Sequence, residues 1–166
     1  MRKKSLISLV LILLSIKIFS QKAPKQKSEF WKKVQFGGGI TLNITNNASS
    51  FGIAPSAIYN FNDKFSSGVS VSYLHTKFKN LSSAYNSYGG SILSLYNPFK
   101  GLQLSSEYEQ NFVTYDNLSR EIPALFFGVG YTYERNVAVG LRYDVLYDDT
   151  KSLYPSALTP FIRVYF

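Results

Sequence analysis

From Val34 to the end of the chain, apolar and polar residues alternate with a period of two, in stretches separated by short polar segments. This period is typical of β-strands whose two faces meet different surroundings. The pattern predicts eight strands, which run approximately over Val34–Thr45, Phe51–Phe61, Phe65–Phe78, Tyr85–Asn97, Leu102–Phe112, Ile122–Thr132, Val137–Tyr147 and Ala157–Phe166. We therefore expect an all-β fold, an eight-stranded antiparallel transmembrane β-barrel over residues 34–166.

The predicted connections differ in length in a way that favours a barrel. Those after strands two, four and six are tight and cover residues 62–64, 98–101 and 133–136. Those after strands three, five and seven are longer and rich in Ser, Asn, Asp and Tyr, while the link at 46–50 is a short exception. Short turns at one end and long loops at the other are typical of outer-membrane barrels.

The distribution of charge between the strand faces separates a membrane barrel from a soluble one. On the seventh predicted strand, Val139, Leu141 and Tyr143 share an uncharged face, and Arg142 and Asp144 lie on the opposite face. A Lys or Arg that faces lipid at mid-bilayer would cost about 2–4 kcal/mol. We therefore expect the uncharged face to meet lipid and the charged face to line the lumen. The alternative is a secreted soluble barrel with an apolar interior.

The first twenty residues have the three-part layout of a secretory signal peptide. Residues 2–4 are basic, Leu6–Leu14 form an apolar stretch, and Ser20 provides a small residue for cleavage. The apolar stretch is shorter than the roughly 20 residues that span a bilayer as a helix. We expect residues 1–20 to be removed and residues 21–33 to form a basic periplasmic N-terminal segment.

Composition and charge exclude several classes of function. The formal charge of +8 includes four basic residues of the predicted signal peptide, and most remaining excess lies in residues 21–33. A barrel that is close to neutral argues against nucleic-acid binding, which needs a basic face. The absence of Cys excludes disulfides and Cys-ligated metals. The 13 Tyr and 13 Phe suit the aromatic girdles of a membrane barrel.

The last predicted strand carries apolar residues at alternate positions, Ile162, Val164 and Phe166. A final strand of this form resembles the signal that the outer-membrane barrel assembly machinery reads. This machinery is therefore an expected partner during insertion, and the cell outer membrane is the expected location.

Several segments together resemble a family of short eight-stranded outer-membrane barrels from Gram-negative bacteria. They are Phe30–Val34 running into Gly37–Gly39, Ala54–Asp63, Tyr96–Pro98, Arg142–Asp148 and Pro160–Phe166. The resemblance covers nearly all of the chain after residue 20 and implies the same fold. Members of this family are sometimes labelled alpha-ketoglutarate decarboxylase. In size the chain is similar to OmpA/OmpX-type barrels, whose interior is just wide enough for side chains to fill.

The residues themselves predict no decarboxylase and no cofactor. A decarboxylase of the thiamine type needs a Gly-Asp-Gly motif to hold the metal and the diphosphate, and this chain has none. The cofactor supplies the chemistry in such enzymes, so a chain that cannot hold it cannot perform the reaction.

The candidate site is a set of charged residues that alternation assigns to the lumen: Glu107, Glu109, Arg142, Asp144 and Arg163. One interpretation is a catalytic carboxylate pair or a gated polar path, which would make the protein a narrow pore. The interpretation that we favour is a salt-bridge network that fills the barrel, because buried charges have to be paired.

His75 supports an alternative function. Outer-membrane lipid A deacylases and acyltransferases use a His with a Ser and an acid near the outer rim, and nucleophile and base must lie within hydrogen-bond reach. Here Ser72 falls on the opposite strand face from His75, while Ser82 and Ser83 fall in the next loop.

The loops are a further candidate, because loops on a rigid scaffold commonly bind partners. They include residues 115–120 and 148–154, and the acidic residues Asp148 and Asp149 lack the ligand spacing of a calcium loop. The prediction is a non-enzymatic structural or interaction protein. Its expected partners are outer-membrane lipids and, through the loops, another subunit of a larger outer-membrane complex.

Overall fold

The computed structural model describes residues 28–46, 48–79, 84–115, 118–134 and 136–166. The chain divides into two units, Met1–Lys32 and Lys33–Phe166. The described part of the first unit contains one helical turn, α1 (Glu29–Lys32), in which Lys32 and Glu29 form an ion pair of 2.6 Å. The predicted signal peptide and residues 21–27 of the predicted basic segment lie outside the described residues. No helix in the described ranges is long and apolar enough to cross a membrane.

The second unit is a closed barrel of eight antiparallel strands. The strands are β1 (Val34–Ile44), β2 (Ala48–Asn60), β3 (Phe65–Phe78), β4 (Ala84–Tyr96), β5 (Gln103–Tyr115), β6 (Leu118–Tyr133), β7 (Val137–Asp144) and β8 (Leu158–Tyr165). Each strand pairs with the next one along the chain, and β1 pairs with β8. The predicted all-β, eight-stranded antiparallel barrel is confirmed.

Closure depends on the pairing of the first and last strands. Ile40 lies opposite Ile162 and Gly39 lies opposite Arg163. Phe36 and Phe166 exchange two backbone hydrogen bonds, of 3.2 Å and 3.0 Å. These bonds join the two strands that would otherwise be the edges of an open sheet, and so close the barrel.

The connections define two ends of the barrel. The turn end carries residues 61–64, 97–102, 134 and 136, together with the start of β1 and the end of β8. The loop end carries residues 45–46, 79 and 145–157. Asn62 stabilises the first tight turn, since its side-chain oxygen accepts hydrogen bonds from the backbone N–H groups of Lys64 and Phe65. In the second tight turn, residues 97–102, Gly101 adopts the left-handed conformation that the turn needs, with φ of 90°.

Several strand boundaries differ from the prediction. β5 extends to Tyr115 and β6 begins at Leu118, so that the predicted long loop after strand five is wrong and only two residues separate the strands. The polar residues there pair through backbone hydrogen bonds, which do not require an apolar pattern. β2 likewise begins three residues earlier than predicted, at Ala48.

β7 ends at Asp144 rather than at Tyr147, because the side chain of Asp144 turns the chain. Its Oδ1 atom accepts hydrogen bonds from the backbone N–H groups of Leu146, at 3.0 Å, and of Leu125 on β6, at 3.1 Å. The bond to Leu146 is the i to i+2 contact of an Asx-turn, which competes with continued strand pairing.

The lumen has two apolar layers, one on each side of the charged residues. Toward the turn end, Ile58, Leu93, Leu95 and Tyr165 form one buried cluster. Toward the loop end, Leu74, Ala124, Phe126 and Tyr154 form the other. The sequence left the orientation of strand four open, because both of its faces are apolar. In the structure Leu93 and Leu95 point inward, and Ile92 is exposed on the outer face.

The adjacent pair Phe126 and Phe127 tests this assignment of faces. Phe126 is 1% exposed and packs against the loop-end cluster, whereas Phe127 is 54% exposed. We expect Phe126→Ala to lower the free energy of unfolding by about 3–5 kcal/mol, because it leaves a cavity in the lumen. Phe127→Ala should cost far less. Urea unfolding followed by circular dichroism measures both variants, and a larger loss for Phe127→Ala would mean that the faces are reversed.

Candidate functional site in the barrel lumen

Four of the five predicted luminal charges meet in one cluster, hereafter the luminal network: Glu107, Glu109, Arg142 and Arg163. Alternate residues of β5 point inward, so Glu107 and Glu109 project one above the other into the lumen. Arg142 comes from β7 and Arg163 from β8. All four are at most 5% exposed.

Arg142 is the centre of the luminal network. Its Nη1 atom donates to Glu109 Oε1 at 2.8 Å and to Glu107 Oε2 at 3.0 Å. Arg163 donates from Nη2 to the same Glu107 oxygen at 3.0 Å. Two arginines therefore neutralise two glutamates. This balance is what burial demands, since an unpaired charge in a region of low dielectric costs several kcal/mol.

Aromatic rings cover both guanidinium groups. The Arg142 guanidinium carbon lies 3.9 Å from the centre of the Phe126 ring, and that of Arg163 lies 4.1 Å from the centre of the Phe161 ring. A flat, weakly hydrated guanidinium stacks on an aromatic face while its edge donates hydrogen bonds. Each ring thus covers one face of its guanidinium group and leaves the edge free to donate to the glutamates.

Tyr154 joins the luminal network from outside the strands, and the sequence did not predict this role. Its hydroxyl donates to Glu109 Oε2 at 2.7 Å and accepts from Arg142 Nη2 at 3.1 Å. Its ring packs edge-on against Phe126 at 5.2 Å. The segment of residues 145–157 therefore turns back into the barrel mouth. The available signal was the apolar run of residues 153–155 within the otherwise polar loop that the sequence predicted at residues 148–156.

Small polar side chains occupy the remaining acceptor positions of the glutamates. Ser91 donates to Glu107 Oε1 at 2.9 Å and shares a hydrogen bond of 2.7 Å with Ser70. Asn111 donates to Glu109 Oε2 at 3.3 Å. Each carboxylate therefore binds a cation and at least one neutral donor, which is the arrangement of a structural ion pair.

Asp144, the fifth predicted member, has a different role. It is 1% exposed, and its Oδ1 atom binds the backbone N–H groups that end β7. This carboxylate therefore fixes the turn at the start of the 145–157 segment.

A cavity of about 30 Å³ lies beside the luminal network and is lined by Arg142, Arg163 and Ser72 among others. It has room for one or two water molecules. Within the described ranges, Arg142 Nε, Arg163 Nη1 and Ser72 Oγ are buried polar atoms without a protein partner. The space is too small for an organic substrate, and both glutamates are already paired with arginines. The arrangement is therefore suited to filling and stabilising the barrel.

His75 lies on the outer face of the barrel, between the inward-facing Leu74 and Thr76. Its Nδ1 atom is 2.8 Å from Asn86 Oδ1, which also accepts a hydrogen bond of 2.9 Å from the Tyr73 hydroxyl. Ser72 lines the luminal cavity, so His75 and Ser72 are separated by the wall. Ser82 and Ser83, the other candidate nucleophiles, lie outside the described residues.

The three residues of the predicted assembly signal lie on the outer face. Ile162 is 41% exposed, Val164 39% and Phe166 78%. Their neighbours Phe161, Arg163 and Tyr165 point inward. The last strand thus presents an uncharged outer surface and contributes a cation to the lumen.

Arg142→Ala is predicted to destabilise the barrel strongly. The substitution leaves Glu109 and Glu107 buried with less compensation, and removing one partner of a buried ion pair costs about 3–5 kcal/mol. The matched control is Arg120→Ala, which removes an exposed arginine of β6 and should change stability by less than about 0.5 kcal/mol. The midpoint of urea unfolding measures both, and equal midpoints for wild type and Arg142→Ala would contradict a structural role.

Tyr154→Phe isolates the hydroxyl that links the 145–157 segment to the luminal network. It keeps the ring contact with Phe126 but removes a donor to Glu109 and an acceptor for Arg142. We expect a loss of about 1–3 kcal/mol, because buried charged groups lose hydrogen bonds. Tyr143→Phe, on the exposed outer face, is the control and should leave the urea midpoint unchanged. A neutral Tyr154→Phe would contradict the proposed link.

Comparison with known proteins adds no family to this description. No protein-family model matches the sequence, and a search of curated proteins also finds no match. The resemblance to short outer-membrane barrels therefore stays a prediction.

Proposed function

We propose that this protein is a small outer-membrane β-barrel with a structural or interaction role, and that it is not an enzyme. One observation carries the proposal: paired charges are buried in the lumen, while large apolar side chains are exposed along the outer face of every strand. Glu107, Glu109, Arg142 and Arg163 are buried in the lumen. A water-soluble barrel has the opposite distribution, because Lys, Glu, Arg and Asp are almost never fully buried unless paired and normally cover the surface.

The outer face supports a lipid environment on every strand. Its exposed apolar side chains include Ile40 and Leu42 on β1, Phe51 and Ile53 on β2, Val69 and Val71 on β3, Tyr88 and Ile92 on β4, Leu104 and Tyr108 on β5, Phe127 and Val129 on β6, Val139 and Leu141 on β7, and Leu158 and Ile162 on β8. An exposed apolar surface this extensive marks a site of interaction with a membrane or a protein. Since it surrounds a closed barrel, lipid is the partner that fits it.

Strand length and the position of aromatic residues fit the same proposal. β1 to β6 have 11–16 residues, against the about 9–11 that a tilted membrane strand needs. β7 and β8 have eight each, and the exposed apolar alternation of β7 continues to Val145. Aromatic side chains are exposed near the turn end at Phe65, Tyr96, Tyr131 and Phe166, and nearer the loop end at Phe51, Tyr88 and Phe112. Two such girdles are typical where a barrel meets the headgroups.

The filled lumen favours a structural or interaction role over a pore. The cavity beside the luminal network measures about 30 Å³, and Tyr154 covers Arg142 and Glu109 from the loop end. Ions would have to displace buried ion pairs in order to pass. We therefore propose that the apolar face contacts outer-membrane lipids, that the barrel assembly machinery inserts the chain, and that the loop end contacts partners such as another subunit of an outer-membrane complex.

An arginine placed on the outer face tests the membrane proposal. Val71 lies midway along β3 and is 64% exposed. In lipid, Val71→Arg should cost about 2–4 kcal/mol, whereas Ser49→Arg, on the same face near the loop end, should cost about 0–1 kcal/mol. Urea midpoints in lipid vesicles measure both. In a water-soluble barrel both positions would be ordinary surface sites, so equal and negligible costs would contradict the proposal.

Cell fractionation gives an independent result on the same chain. We expect the wild-type protein in the outer-membrane fraction, with a β-type circular dichroism spectrum and a gel band that shifts on boiling. A folded protein in the periplasmic fraction would overturn the proposed location. Steady single-channel conductance in a planar bilayer would favour the pore alternative.

A further inference from the structure

The loop end contains a second and much larger cavity, hereafter the outer cavity. It has a volume of about 670 Å³ and lies between the β1–β2 connection and the 145–157 segment. This volume is within the range of about 300–1,000 Å³ that is usual for small-molecule sites. It is distinct from the small cavity beside the luminal network, although Tyr154 lines both.

The residues that line the outer cavity define the chemistry of a ligand. Asn46, Thr45 and Ser152 bring amide and hydroxyl groups, and Asp149 brings a carboxylate. The rings of Tyr147, Tyr154 and Pro155 bring apolar surface. Among the described residues, the lining contains one acid and neither Lys nor Arg, so it does not favour phosphate or carboxylate ligands. A molecule that combines many hydroxyl groups with apolar ring faces matches this set, because hydroxyls both donate and accept and aromatic rings pack on C–H surfaces.

Local hydrogen bonds hold one wall of the outer cavity in place. The Asp148 carboxylate accepts from the Thr150 backbone N–H at 2.8 Å and from the Thr150 hydroxyl at 2.6 Å. The Asp148 N–H donates to the Ser152 hydroxyl at 2.9 Å. These bonds, with the Lys151 charge nearby, lower the pKa of Asp148, so that its carboxylate keeps the turn at neutral pH. A wall that is already ordered costs less conformational entropy when a ligand binds.

Tyr147 and Asp149 form a pair within this wall. Partial burial and the neighbouring Asp149 side chain raise the pKa of the Tyr147 hydroxyl, and both side chains line the outer cavity. The outer cavity therefore offers a carboxylate acceptor and an aromatic ring to the same ligand. This combination is suited to a sugar ring, whose hydroxyls lie at its edge and whose C–H groups lie on its faces.

The opposite wall and the floor are fixed by the barrel. Thr45 and Ala48 hold the β1–β2 connection through a backbone hydrogen bond of 2.8 Å and two bonds of 3.1 Å that involve the Thr45 hydroxyl. Tyr154 forms part of the floor, and its hydroxyl is already bound to Glu109 and Arg142. The outer cavity is therefore supported by the same contacts that fill the lumen.

We propose that the outer cavity binds a neutral saccharide, with the Asp149 carboxylate accepting hydrogen bonds from ring hydroxyls and the Tyr147 ring packing against the sugar. The inference adds a ligand class to the loop end, and it rests on the proposed function only for the statement that this end faces the outside of the cell. A barrel of this kind would use its loops to contact the carbohydrate of a surface polymer or of a neighbouring cell.

The test is a binding assay on the full chain folded in detergent, with neutral saccharides as probes. Saturation-transfer NMR against glucose, galactose, N-acetylglucosamine, maltose, lactose and cellobiose identifies a binder, and calorimetry then gives its Kd. We expect at least one of these sugars to bind. Asp149→Ala and Tyr147→Ala should each weaken that binding by about tenfold or more. Tyr147→Phe should retain most of it, because the ring remains.

Lys151→Ala is the matched control. Lys151 is in the same turn, its side chain is 76% exposed, and it does not line the outer cavity. Its ion pair with Asp148, 3.4 Å long, is exposed and contributes little to the turn, so its substitution should leave the sugar Kd unchanged. If none of the six sugars binds, or if Asp149→Ala and Tyr147→Ala bind as wild type does, the proposal is wrong. Binding of inorganic phosphate that Lys151→Ala abolishes, without sugar binding, would identify an anion site and would also overturn it.

Failure of this inference can be told apart from failure of the proposed function. A barrel that fractionates with the outer membrane and shifts on boiling but binds no sugar would overturn only the saccharide site. A periplasmic barrel that still binds sugar through Asp149 would overturn only the membrane location. Circular dichroism and the urea midpoint of each variant establish that a loss of binding does not come from unfolding.

Discussion

Arg142 has the central place in this barrel because it neutralises both Glu107 and Glu109 within the lumen. The two buried carboxylates, which both come from β5, would repel each other or lose their charge if the arginine were displaced, so the ion pairs constrain how β7 can be placed relative to β5. A slip of one residue would turn every side chain of a strand to the other face. It would move Arg142 from the lumen to the apolar outer surface. The luminal network thus favours one register, with Arg142 opposite Gly128 on β6 and Thr159 on β8.

Room for this network comes from small residues on the inner face. A Cβ atom added at Gly128 would lie 2.4 Å from Ser105 Oγ and 3.4 Å from Arg142 Cβ, so a larger residue there would crowd the arginine. Ser70 on β3 and Ser91 on β4 fill the other side and share a hydrogen bond, and Ser91 donates to Glu107. Large charged groups and small neighbours together fill a lumen of eight strands, which is just wide enough for side chains. The filled interior leaves the two ends and the outer wall as the surfaces that can contact other molecules.

The loop end differs from the turn end in how its longest connection is held. Residues 145–157 begin at the turn made by Asp144, continue through the hydrogen-bonded turn of Asp148 and Ser152, and return to the lumen at Tyr154. A segment of this length would ordinarily be mobile. Here Asp144 fixes the start of the segment, and Tyr154 ties its second half to Glu109 and Arg142, which is why a cavity with a defined lining can exist beside it. Tyr154 thus contacts the luminal network on one side and lines the outer cavity on the other.

Alternation along the chain was sufficient to predict the eight strands, the charged inner face and the apolar outer face, because neighbouring strand residues always point to opposite sides. It was also sufficient to identify Glu107, Glu109, Arg142 and Arg163 as luminal. Local pattern could not show that β5 and β6 continue to within two residues of each other, since backbone pairing there needs no apolar residues. Nor could it show that Asp144 binds backbone N–H groups, or that Tyr154 completes the network. Those contacts depend on the register at which the barrel closes and on the path of a loop, and only the tertiary structure decides both.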